Sequence, residues 1–241
     1  CDLSELAATC VQEKPVTMFQ TLKVMFSPAF IKQTVVVFVL SWGATLGIFY
    51  IASYGVTFMV DLGWAYSVVL LISATGVVGT PIGDVAVSFF SDKGGRRIPI
   101  IIMSCIAGTI CLLRGYVTGP MAGLYNASGS LIWPVLLAVL GIAGSAFCGG
   151  TMTLMWTYLA ESFPTRIRSN ATGIVFASGR LIAAPLTLTV PAVYAAGSYL
   201  GVNIVNALFY FVPAIFALFW GINSAQKSLE ELEQEAERLT C

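Results

Sequence analysis

Six long apolar runs dominate the chain and leave it few ways to fold. They cover residues 34–60, 66–90, 98–117, 131–158, about 171–196, and 200–223. A bilayer core takes ~20 apolar residues per helix, and only helices or closed barrels satisfy the backbone there. The runs are continuous rather than alternating, which argues against a β-barrel. Composition agrees: 57% of the 241 residues are hydrophobic and 10% are charged. A soluble domain carries about 25% charged residues, so too little polar surface is left here to solvate a globule. The expected fold class is an all-α membrane protein of six transmembrane helices.

The basic residues set the expected orientation. Lys14, Lys23 and Lys32 precede the first run. Lys93, Arg96 and Arg97 lie between the second and third, and Arg166 and Arg168 between the fourth and fifth. Lys227 and Arg238 follow the sixth. The three alternate loops, about 61–65, 118–130 and 197–199, carry no Lys or Arg. Both ends are therefore expected on the cytoplasmic side of a multi-pass protein, in the plasma membrane or an organelle membrane.

Three regions follow. Residues 1–33 form a polar inner segment that enters the membrane through Ser27-Pro28, with Ser27 as N-cap and Pro28 at the first helical position. Residues 34–223 form one six-helix bundle. Residues 224–241 form a charged tail, with an amphipathic helix over 228–239. The chain opens on Cys1 rather than Met, which reads as a piece of a longer protein. Glycines in the second run (Gly76, Gly79, Gly83) and the fifth (Gly173, Gly179) hint at two three-span halves.

Several chemistries are unsupported. There is no His, so no base or metal site can use imidazole. The six Cys fit neither a disulfide framework nor a zinc site. No phosphate-binding loop or nucleophile–base set is present. We expect no enzyme activity, no cofactor, no metal and no nucleic-acid partner.

Two inner loops carry a resemblance. The first reads Ser88-Phe-Phe-Ser-Asp92-Lys93-Gly-Gly95-Arg96-Arg97. It resembles the major facilitator superfamily loop signature Gly-x-x-x-Asp-Arg/Lys-x-Gly-Arg-Arg/Lys, with Ser88 in place of the first Gly. The second reads Glu161-Ser-Phe163-Pro164-Thr165-Arg166-Ile-Arg168. It resembles the element after the tenth span in the sugar-porter, metabolite–proton symporter and organic-ion branches. Gly179-Arg180-Leu181 with Pro185 is similar to the eleventh span there, and the tail resembles the end of the twelfth. The resemblance covers about residues 15–235. It implies half of a twelve-helix major-facilitator fold, a 3+3 inverted repeat holding spans seven to twelve, with the N-terminal six-helix half as missing partner.

The implied activity is secondary transport of a small organic solute (sugar, carboxylate or organic ion) by alternating access, with protons as a candidate coupling ion. A homodimeric half-transporter and a non-transporting receptor or scaffold are the rival readings. Gating is expected from Asp92, Lys93, Gly95, Arg96 and Arg97 with Glu161, Pro164, Arg166 and Arg168. The alternatives are a positive-inside anchor and a solvated turn.

Asp84 is the only acid well inside a run, ~12 Å from Asp92 by helical rise. It should pair, face water or stay protonated, so it is the candidate for proton coupling. Arg180 cannot easily lose its charge and should meet an anionic solute or a carboxylate such as Asp84. Arg114 is read as snorkelling to the outer interface. The first and fourth runs would line the central cavity by the resemblance, offering Tyr50 and Tyr54, spaced four apart on one face, and Trp156. Packing and interface anchoring are the plain alternatives for these aromatics. Asn126-Ala-Ser128, in the second outer loop, is a glycosylation candidate.

Overall fold

The apolar runs form helices because hydrocarbon offers no partner for a free backbone N–H or C=O. The computed structural model describes residues 17–91 and 95–221, and among them the regular structure is entirely helical. In chain order the helices are α1 (Met18–Met25), α2 (Ile31–Ala52), α3 (Gly55–Asp61), α4 (Tyr66–Ser91), α5 (Arg97–Ser128), α6 (Ile132–Ser162), α7 (Thr165–Thr187) and α8 (Val190–Trp220). Five of them, α2, α4, α5, α6 and α8, are long and apolar enough to cross a membrane. The other long helix, α7, is the least apolar because it carries Arg166, Arg168 and Arg180.

α8 contains a reversal. Ser198 has φ 55° and ψ −166°, outside the helical region. A Cβ on Gly201 would lie 3.6 Å from the carbonyl oxygen of Val193. A straight helix would hold those residues ~12 Å apart along its axis. The chain therefore folds back at Ser198, within the expected turn at 197–199. Residues 190–197 complete the span begun by α7, and 199–220 form the last one.

Several boundaries differ from the sequence expectation. The first run is not one helix: it breaks at Ser53 and Tyr54, and α3 continues it. The third does not stop at 117. α5 runs through Pro120 to Ser128 and ends at Gly129, whose φ of 63° is the left-handed conformation glycine tolerates. Most of the expected loop at 118–130 is therefore helix. The fifth run breaks at Leu188 and Thr189, just before Pro191. Ser27 does not cap the first span. Its hydroxyl donates to the Val24 carbonyl at the end of α1, and Phe30 occupies the N-cap of α2.

α1 opens with a capping box between Thr17 and Gln20 and packs on α7. It buries Thr21, Val24 and Met25 but exposes Met18 and Phe19, so this part of the 1–33 segment is amphipathic rather than simply polar. The expected tail helix at 228–239 lies outside the described residues, as do residues 1–16.

Small residues set the packing. α4 lies along α6, and a Cβ on Gly79 or Gly83 would strike the backbone of Ile142 or Ala146. Backbones meet closely there because nothing stands between them. α5 lies along α8, and α2 packs against α6, α7 and α8. One core gathers around Phe30, Tyr158 and Phe163 at the basic end. A second surrounds Tyr50, Trp64 and Tyr199 at the opposite end. A smaller one joins Cys111 on α5 to Tyr210 on α8.

Candidate functional site

The basic end is held by arginines that reach between helices. Gly95 has φ 86°, a conformation that favours glycine, and turns the chain into α5. Arg96 follows it and grips Glu161, at the end of α6, through two nitrogens. Its Nε donates to Oε1 at 3.0 Å and its Nη2 donates to the same oxygen at 2.8 Å. Its Nη1 also donates to the Ser91 hydroxyl at the end of α4. Arg97 Nε donates to the Ala217 carbonyl at 3.1 Å and its Nη2 to that of Leu218. A cation there adds to the Ala217 carbonyl, which already accepts from Gly221 N–H, and meets that of Leu218 at the negative end of the helix dipole.

The second loop turns at Phe163, extended as residues before proline prefer, and at the buried Pro164. Arg168 Nε donates to the Phe163 carbonyl at 3.4 Å, and Arg166 is exposed. The two loops that carry the motifs thus meet through Arg96 and Glu161. Asp92 and Lys93 lie outside the described residues.

Asp84 does not pair with Arg180. Its Oδ1 accepts a 2.7 Å hydrogen bond from Thr153 on α6. Arg180 instead lies 4.5 Å from the ring centre of Phe49 and 5.0 Å from that of Phe176. Trp156 packs tilted on Phe176, with centroids 4.9 Å apart. Half-buried rings from α2, α6 and α7 therefore form one surface, on which the exposed Arg180 lies against two of them. Close approach of α2 and α7 makes it possible. A Cβ on Gly179 would lie 3.1 Å from Thr45 Oγ1, and Trp42 Nε1 donates to Ser178 Oγ at 2.9 Å. The sequence reading named Arg180 and Trp156 but missed Phe49 and Phe176, which join them. The spacing of Phe176 and Arg180, four apart on α7, was the available signal.

Tyr50 and Tyr54 do not share a helix face, because α2 ends between them. Tyr50 is 1% exposed and meets Phe209 edge-on at 5.3 Å. Tyr54 sits in the break and stacks on Phe58. Arg114 is also placed differently from its expected outer position. α5 extends fourteen residues beyond it, so its side chain lies mid-bundle, where it lines an interior cavity. Asn126 is exposed on the last turn of α5 rather than in a loop, and its Nδ2 donates to the Gly63 carbonyl at 3.0 Å.

The paired inner loops and the glycine-packed helices together match one known architecture. A family model described as "Sugar (and other) transporter" matches residues 3–236. The chain belongs to this family, within the major facilitator superfamily. It is an integral, multi-pass membrane protein with half of the superfamily fold. Among curated proteins, it is similar to a cis,cis-muconate transport protein from Acinetobacter baylyi, at 28% identity over 185 residues. That match covers 74% of this major facilitator chain and 41% of the relative, so the chain spans less than half the length of the curated relative it matches.

Proposed function

We propose that the chain is one six-span half of a secondary transporter that carries a small organic carboxylate by alternating access. The observation that carries this reading is Arg180 between Phe49 and Phe176, beside Trp156. Among the described residues it has no acidic partner within salt-bridge distance. The guanidinium offers a planar donor set for a carboxylate, and the rings offer a wall for an apolar body. Muconate, the cargo for which that relative is named, is an organic carboxylate, which supports the same class.

In this reading the other six spans close the opposite wall of the cavity. The basic end faces the cytoplasm, as the Lys and Arg distribution favours. Arg96 and Glu161, with Asp92 and Lys93, hold the cytoplasm-closed state and release during the swing. Asp84, hydrogen-bonded to Thr153, takes the coupling proton. The test is uptake of radiolabelled muconate into proteoliposomes containing the full-length protein. Saturable uptake that Arg180→Gln weakens is expected. If no organic carboxylate gives either gradient-driven uptake or exchange, the reading fails.

A further inference from the structure

A cavity of about 470 Å³ lies inside the bundle, apart from the surface that holds Arg180. That volume falls within the ~300–1,000 Å³ range of small-molecule sites. Its walls come from α2, α4, α5, α6 and α8, with residues of α3 at one edge. Most of the lining is glycine or aliphatic, including Ile48, Ile51 and Ile72.

Ser73 and Thr80 of α4 and Ser145 of α6 also line it, and the Ser145 hydroxyl is taken up by the Gly141 and Ile142 carbonyls. Asn203, Asn206 and Tyr210 fall on one face of α8, and Arg114 reaches the cavity from α5. Asn203 is 0% exposed, Asn206 2% and Tyr210 1%. Asn203 Oδ1, Asn206 Oδ1 and Arg114 Nε are all buried without a hydrogen-bond partner. The orientation of Asn203 is set by its Nδ2, which donates to the Tyr199 carbonyl at 2.9 Å and leaves Oδ1 unpaired. Asn206 Nδ2 donates to Cys111 Sγ at 3.3 Å. Arg114 Nη2 reaches only the Met59 sulfur, at 4.0 Å, a weak acceptor.

Leaving such groups unpaired in a low-dielectric interior is costly. The chemistry of the open positions then defines what would fill them. Arg114 calls for an anion, since Asp61, Asp84 and Glu161, the acids among the described residues, are absent from the lining. The two amide oxygens call for a donor. An ammonium would bring a second positive charge with no protein carboxylate to meet it, so a hydroxyl fits better. The aliphatic wall calls for an apolar body between anion and hydroxyl.

We infer that this cavity is a second ligand site, taking a small hydroxycarboxylate. Its carboxylate pairs with Arg114, its hydroxyl donates to Asn203 or Asn206, and its body lies against the isoleucines. The site opens at exposed Val77 but is lined by residues other than Arg180, Phe49 and Phe176, so it does not depend on the carboxylate reading of Arg180.

The test is calorimetric titration of the purified full-length protein in detergent with 3-hydroxybenzoate and with benzoate. Saturable binding is expected, tighter for 3-hydroxybenzoate. Arg114→Gln should weaken 3-hydroxybenzoate by about tenfold or more, the scale of losing one charged hydrogen-bonding partner. Asn206→Leu should erase the preference over benzoate. Gly76→Leu adds bulk at a lining position where the nearest atom to a new Cβ is 3.9 Å away, so it should abolish binding without touching the polar groups. If Arg114→Gln does not yield folded protein, Gly76→Leu decides. Arg180→Gln should remove only the carboxylate held at the other surface and leave the Arg114-dependent binding in place. No saturable binding in the natural protein, or binding unaffected by Gly76→Leu, overturns the inference. Loss with Arg180→Gln alone also overturns it, and assigns the ligand to the other surface.

Discussion

Arg96 and Glu161 are sixty-five positions apart and share a two-nitrogen ion pair that ties the start of α5 to the end of α6. The same guanidinium reaches Ser91 on α4, so one side chain gathers three helix ends. A clasp of this kind favours whichever state keeps those ends together. Glu161→Gln keeps the shape and removes the charge. We expect it to lower uptake by about five- to tenfold, the usual range of a coupling free energy, and to raise labelling of an engineered cysteine at the basic end. The exchanged pair Arg96→Glu with Glu161→Arg should recover part of the loss in proteoliposome uptake.

Asp84 accepts from Thr153, so Asp84→Asn keeps an acceptor there and loses only the titratable charge. Uptake driven by a proton gradient should vanish, while solute exchange at equal pH continues. Driven uptake that survives unchanged would clear Asp84 of coupling. Thr153→Val should leave exchange intact and weaken driven uptake less than Asp84→Asn.

Arg180→Lys preserves the charge but loses the flat guanidinium that lies on Phe49 and Phe176. A stacked cation is worth ~0.5–2 kcal/mol, so KM for the carboxylate should rise by roughly two- to thirtyfold. Arg180→Gln should raise it further. Initial-rate uptake over a range of solute concentrations separates KM from maximal rate.

Gly83→Ala places a methyl group against the backbone of Ala146, which has no rotamer to relax into. Overpacking of this sort costs roughly 1–3 kcal/mol. The melting temperature in detergent should fall. Gly76→Ala, two turns away and with its Cβ at an ordinary 3.9 Å from the Gly141 carbonyl oxygen, should change little.

Ser198 holds φ 55° and ψ −166°, a combination that costs a residue with a side chain roughly 1–3 kcal/mol. Ser198→Gly should therefore stabilise the protein by about 1 kcal/mol, less the extra freedom glycine gains when unfolded. Thermal melts of the two proteins, measured together, check the sign.

Five apolar spans and the loop motifs were legible because hydropathy and charge act locally, whereas the arginines of α7 keep that helix less apolar. Arg96 and Glu161 could each be picked out from their motifs, but their pairing depends on how α5 and α6 meet. Tyr50 and Tyr54 looked like one face because no residue at 53 or 54 advertises a break. Arg114 looked peripheral because Thr118, Gly119, Pro120 and Gly123 resemble a loop. In a bilayer a helix continues through such residues when its neighbours satisfy the backbone. The polar stripe of Asn203, Asn206 and Tyr210 was visible as spacing on one helix face, yet its meaning needed Arg114 opposite.

The breaks at 53–54 and 188–189 have a mechanical consequence. Each leaves a short piece beyond the joint, and Phe58 on one stacks on Tyr194 on the other, with ring centres 3.9 Å apart and planes 2° from parallel. The two pieces are therefore riveted together as a single lever, jointed to longer shafts. α3 has seven residues and rises ~10 Å, so a 20° tilt about its joint would carry its tip by about 4 Å. A hatch at the end away from the basic loops could open by that much while the glycine-packed body below it stayed rigid.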